Sequence, residues 1–166
     1  MSSNNPQDKR VVFFQELIKL AEIDSSIILL TNDVGYSFVD KFSEKFPKQF
    51  INCGITEQSI VGMAAGLALA GKKPYYYSMI NFVLFRPYEQ LRNDVCYGNL
   101  NVKFIGVRGL RSYKFLGISH NIQDGEDKAI LSTLPNINSY FPTNEEEVKN
   151  IILQEYERKG PAYLHL

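Results

Sequence analysis

The side chains best suited to chemistry stand where apolar runs end. Asp33 follows the run at 27–31, Glu57 follows the run at 50–53 and Gly54, Arg108 closes the run at 102–107, and His120 lies in the long stretch after it. Glu57 opens a helical pattern, and a carboxylate there suits the positive end of a helix dipole. His120 can donate to a substrate oxygen or move a proton near neutral pH, or it is a surface-loop histidine. Asp33 reads equally as a site residue or as an Asx turn before Gly35. Arg108 could hold a carboxylate or phosphate, or stand solvated in a loop, and Arg111 carries the same ambiguity. Phe82 and Phe85 are, by composition alone, ordinary core. Cys53 and Cys96 have no adjacent base and no metal-ligand spacing, so they read as reduced thiols of a cytoplasmic protein. His165 falls in the last apolar run and reads as structural.

The elements that must position these residues alternate. Apolar runs at 27–31, 50–53, 74–79, 102–107, 137–141 and 162–165 predict strands. Helices are predicted at 10–22, 36–47, 57–71, 87–98, 124–134 and 144–158. The first helix sets Val11, Phe14, Leu17 and Leu20 on one stripe, and the third sets Ile60, Met63, Ala64, Leu67 and Ala68 at helical spacing. Pro87 suits a first turn, and Asn144 with three following glutamates suits a helix start. Strand–helix alternation predicts an α/β fold, a three-layer parallel sheet with helices on both faces. Ligands of such sheets bind beyond the carboxyl ends of the strands, which marks Asp33, Gly54 to Glu57, Asn81 to Phe82, and Arg108 to His120. The stretch from Gly109 to Asp127 is long for a connection, and long loops are often functional.

Composition narrows the classes. Residues 1–166 read as one domain with room for a sizeable core. Basic and acidic residues balance at 18 each, which argues against a nucleic-acid footprint. The polar start, Met1 to Arg10, is no signal peptide, and no apolar run reaches the roughly 18 residues of a membrane span.

The segment 52–74, NCGITEQSIVGMAAGLALAGKKP, resembles the pyrimidine-binding domain of the transketolase family. Gly54, Ile55, Glu57, Gln58, Ala64, Ala65, Gly66, Ala68, Gly71 and Pro74 fit its frame. The resemblance continues through FVLFRPYEQLR at 82–92, GISH at 117–120, EDKAILSTLPN at 126–136 and the final PAYLHL. Thr31 to Gly35 and the first helix fit as well, so it covers nearly the whole chain in order.

The resemblance implies a thiamine-diphosphate enzyme. The cofactor works by losing a proton from its thiazolium C2 to the imino form of its own aminopyrimidine. The family glutamate that matches Glu57 hydrogen-bonds the ring N1′ to favour that form. An aromatic ring stacks on the aminopyrimidine; Phe82 matches it best, with Phe85 close by, and Ile55, within the frame, is implied as a further cofactor-binding residue. His120 matches the histidine near the thiazolium and substrate, and Arg108 a strand-end position where transketolases often carry a substrate-contacting histidine.

Family members bind the diphosphate through a metal held by a Gly-Asp-Gly segment and a distal Asn in another domain. The chain has no such segment; Asp124-Gly125-Glu126-Asp127 lacks the preceding glycine. The sequence also stops at Leu166, where the pyrimidine domain closes. These features imply a split enzyme, in which a partner subunit, the diphosphate-binding or N-terminal-section chain, holds Mg2+ or Ca2+. A heterotetramer follows, with the 57–71 helix as the contact between two copies. The resemblance implies transfer of a two-carbon ketol unit on a small sugar or keto substrate. Leu116 and Phe141 stand where many relatives carry an acidic residue and an arginine, and Ser112 to Phe115 make the rim aromatic and basic. That points away from an ordinary sugar phosphate, toward a modified or nucleotide-linked sugar or a 2-oxo acid donor. A 2-oxo acid decarboxylase or dehydrogenase subunit and a non-catalytic interaction protein are the competing readings. Arg86 to Gln90 with Gly117 to His120 weigh against the first, and Glu57, Phe82 and His120 together against the second.

Overall fold

The computed structural model describes residues 8–108 and 111–166, with the side chains of 111–114 also outside the described set. The readings placed on Arg111 and on Ser112, Tyr113 and Lys114 therefore lie outside the described residues.

Among the described residues, six strands form one sheet: β1 Ile27–Thr31, β2 Phe50–Asn52, β3 Lys73–Met79, β4 Lys103–Val107, β5 Asn138–Tyr140 and β6 Ala162–His165. Their order is β2-β1-β3-β4-β6-β5, and every pairing is parallel. Successive strand residues serve opposite faces. Leu29, Tyr75, Tyr77 and Ile105 pack with Phe13, Phe14, Leu17, Phe42 and Ile152 on one side. Leu30, Tyr76 and Phe104 pack with Ile60, Val61, Ala64, Val83 and Leu91 on the other. Burial on both faces explains why the inner strands β1, β3, β4 and β6 read as apolar runs, while the edge strands β2 and β5 are only partly buried. The α/β three-layer reading of the sequence is thus the architecture observed.

Helices α1 Lys9–Ile23 and α6 Glu145–Glu157 lie together on the first face. Asp8 caps α1 by accepting from the Arg10 amide, and Asn144 caps α6 by accepting from the Glu147 amide. The buried side of α1 is broader than its predicted stripe, with Val12, Phe13 and Ala21 added and Val11 only half-buried. Helix α2, Val39–Lys45, is shorter than predicted; Phe46 leaves helical geometry before Pro47, whose ring disfavours it. Helix α3, Glu57–Leu69, and α5, Glu126–Leu131, cover the second face.

One element differs from expectation. The helical segment after β3 starts at Asn81, not at Pro87. Two π-helical stretches, Asn81–Phe85 and Leu91–Cys96, flank the short α4, Tyr88–Gln90. The Arg86 amide bonds the Asn81 carbonyl five residues back, at 3.0 Å. Pro87 has no N–H to continue the ladder, and the wider turn before it absorbs the mismatch. Gly106 is required for packing: a Cβ there would stand 2.7 Å from the Tyr163 ring.

Candidate active site

The strand order reverses between β1 and β3: the chain leaves β1 for the β2 edge and returns to β3 on the other side. Ligand crevices of parallel sheets open at such switch points, beyond the carboxyl ends of the strands. Three segments converge there. Asn32 follows β1. Gly54, in left-handed geometry at φ 65°, turns the chain from β2 toward α3 and delivers Glu57 as its first residue. The π-turn after β3 carries Phe82 and Arg86.

Glu57 is only 7% exposed, unusual for a carboxylate at a helix start. Its Oε1 accepts from Arg86 Nη1 at 2.6 Å and from Asn32 Nδ2 at 3.3 Å. The Arg86 guanidinium also lies 4.1 Å above the centre of the Phe82 ring. Phe82 is buried and meets the His120 ring edge-on, centroids 5.1 Å apart. Tyr76 donates to the Phe82 carbonyl at 3.1 Å, fixing the aromatic from behind. Burial, and then the Glu57 charge, raise the Tyr76 phenol well above its ordinary value, so it stays a donor. Burial likewise raises the half-buried Cys53 thiol, which excludes an activated thiolate there.

His120 is held by its loop. Gly117, at φ 59°, breaks the 3-10 turns of Arg111–Ser119. The Ser119 hydroxyl donates to the Leu116 carbonyl at 2.7 Å and lies 2.8 Å from His120 Nδ1. With that hydroxyl proton committed to the carbonyl, Nδ1 is the donor toward Ser119. Asn81 ties the loop to the π-turn, donating to the carbonyls of Ile118 and Asn121 at 2.9 and 3.3 Å.

The structure therefore brings Glu57, Phe82 and His120 into one contiguous set, linked through Arg86. Ile55, 74% exposed, and Arg86 line the open pocket of about 410 Å³ in front of Glu57. Phe85 is partly exposed, one residue before Arg86. Two candidates stand apart. Asp33, at φ 63°, accepts from Tyr36 at 2.9 Å and from Asn52, so its carboxylate is engaged in its own turn. Arg108 pairs with Asp124 at 2.5 Å and lines a different cavity of about 700 Å³ with Lys9, Asn144 and His165. That cavity is larger, but its wall mixes Lys9, Arg10 and Arg108 with Asp8, Glu145 and Glu146 and includes none of the Glu57 set. Among the described residues, no three His, Cys, Asp or Glu side chains group as metal ligands would.

Sequence reasoning missed Arg86, Asn32 and Ser78 as site residues. Arg86 lay inside the quoted 82–92 segment without a role of its own. Ser78 had a readable signal, a short hydroxyl side chain in a strand expected to be buried, which must find a partner.

Fold and crevice together define a parallel α/β domain whose strand switch carries a buried carboxyl group, joined through an arginine to an aromatic ring. A family model described as transketolase, pyrimidine binding domain, matches residues 6–166, and the chain belongs to that family. It is 33% identical over 165 residues to an apulose-4-phosphate transketolase subunit of Phocaeicola vulgatus, covering 99% of this chain and 52% of that one. It is 30% identical over 158 residues to the 6-deoxy-6-sulfo-D-fructose transketolase subunit SqwH of a Clostridium species, covering 95% and 48%. A solved split-gene transketolase, described as an inactive beta4 tetramer, superposes with a TM-score of 0.85 at 32% identity, over 98% of this chain and 52% of that one. The chain spans about half the length of the curated relatives it matches.

Proposed function

We propose that this chain supplies the pyrimidine side of a thiamine-diphosphate enzyme that transfers a two-carbon ketol unit, and that it acts with a separate partner chain. The observation that carries this reading is the burial of Glu57 at the strand switch, joined through Arg86 to Phe82, whose ring meets His120. A buried carboxyl group bordering an open pocket suits a heterocyclic ring nitrogen, which needs a partner able to hold or share a proton. Phe82 and the partly exposed Phe85 suit the flat ring; the Arg86 guanidinium moves off Phe82 if that face is used. The cofactor, when bound, supplies a carbon acid whose anion attacks a carbonyl.

The chain's own residues have distinct tasks. Glu57 fixes the ring nitrogen and exchanges a proton with it. His120, oriented through Ser119 and set edge-on to Phe82, is the histidine for the substrate side. The diphosphate and its Mg2+ or Ca2+ belong to the partner subunit, a diphosphate-binding chain. Relatives named as subunits, and a split-gene structure, favour that division. The outward face of α3, where Gly62 and Gly66 are exposed, is the surface for a second copy. The reduced thiols fit a cytoplasmic setting. One relative is named for a sugar phosphate and another for a sulfosugar, so this family branch takes more than one sugar class. Phe141 packs on Tyr163 and His165 with the Lys128 ammonium over its ring, so the side chain at 141 itself gives a phosphate no charge, which favours a modified sugar or keto substrate.

Calorimetry with thiamine diphosphate and Mg2+ tests the assembly. Binding is expected for the chain mixed with its diphosphate-binding partner and not for the chain alone. Glu57→Gln lowers turnover of the mixture by about a hundredfold or more. Full turnover in that variant would refute the assignment.

A further inference from the structure

Asn32 is 2% exposed and Ser78 is fully buried, and neither belongs to the hydrophobic clusters around them. A hydroxyl and an amide in such surroundings are costly unless each finds a partner. They find each other: Ser78 Oγ stands 2.5 Å from Asn32 Oδ1. The amide oxygen only accepts, so the hydroxyl donates. That contact orients the amide, and its Nδ2 then faces Glu57 Oε1 at 3.3 Å. Turned about, the amide would press its oxygen against a carboxylate oxygen.

Arg86 adds a second donor to the same atom, 2.6 Å from Oε1. Both hydrogen bonds that the described residues give to Glu57 thus fall on Oε1, and none falls on Oε2. The two oxygens of a carboxyl group are chemically alike, and the terminal torsion of glutamate is soft. An N–H aimed at Oε1 removes the equivalence. A proton on Oε1 would confront that N–H, so a proton carried by Glu57 belongs on Oε2.

We propose that Asn32 and Ser78 are positioning residues that hold Oε1 and present Oε2 to the ring nitrogen. The inference rests on the reading of Glu57 given above. It extends that reading to an atom and to two residues from different segments, Asn32 just after β1 and Ser78 in β3.

The test uses the chain complexed with its diphosphate-binding partner and two ligands, thiamine diphosphate and the analogue with carbon in place of N1′. Calorimetry gives the affinity of each, and thermal melting verifies that each variant is folded. Ser78→Ala and Asn32→Ala weaken thiamine diphosphate about tenfold, the scale of a hydrogen bond to a charged group. The analogue, which offers nothing to Oε2, loses less than twofold. Ser78→Ala removes one oxygen and keeps the strand, so it decides the matter if Asn32→Ala does not fold. Equal losses on both ligands, or no loss on either, would overturn the assignment while leaving Glu57 in place. Equal wild-type affinity for the two ligands would remove Glu57 from the ring nitrogen and the assignment with it.

Discussion

At the scale of single residues, Arg86 links the carboxyl group to the aromatic ring. It bonds Glu57 and covers Phe82, so it compensates a charge that burial would otherwise isolate. Removing one partner of a shielded pair leaves the other with an unmet desolvation cost. Arg86→Met is therefore expected to destabilise the chain by about 1–2 kcal/mol in urea unfolding, discounted because the arginine is partly exposed. Adding Glu57→Gln should recover much of that loss, because the second change removes the stranded charge. Strictly additive losses would mean that the two side chains do not communicate. Glu57, Phe82 and His120 were legible from the sequence because each closes or follows a recognisable frame. The partners of Arg86 and Ser78 were not, since they lie 29 and 46 residues away and only the folded crevice joins them.

At the scale of elements, close approach between strands constrains the sequence most tightly. Gly106 in β4 faces the Tyr163 ring of β6, and the phenol in turn meets the Asp127 carboxylate at 3.3 Å. Gly106→Ala inserts a methyl group where a ring already stands. Overpacking of this kind costs about 1–3 kcal/mol, and a lower melting temperature is the readout. An unchanged melting temperature would show that Tyr163 gives way freely. Strand positions were readable to within a residue or so, for the inner strands because burial on both faces leaves apolar runs. The helix after β3 was not, because its π-turns place Pro87 inside a helical segment, where sequence rules expect a start. The 3-10 turns of Arg111–Ser119 likewise carried no periodic signal.

At the scale of the whole molecule, a buried ionic cluster ties the far end of the sheet to α6. Lys103 is 2.9 Å from Glu155 and also donates to the carbonyls of Arg158 and Gly160. Burial alone would raise the Glu155 carboxyl; hydrogen bonds from Arg158, Tyr140 and Lys103 outweigh it and hold the group at about 2. A carboxyl group depressed in the folded state contributes stability above its ordinary value of 4.5, and this is lost as pH falls toward 2. Urea unfolding between pH 5 and 2.5 should therefore show a steep acid loss that Glu155→Gln flattens, and equal slopes would count against the cluster. The sheet order carries a consequence for how the chain reaches this state. Among the described residues no two neighbouring strands are joined by a hairpin, and the β1–β3 ladder closes over the intervening α2, β2 and α3. Each ladder closes a sizeable loop before any contact rewards it, so folding runs on the slow, millisecond-to-second side of the range for domains. Nascent chains expose unpaired strands in that interval, which makes refolding yield sensitive to protein concentration and temperature.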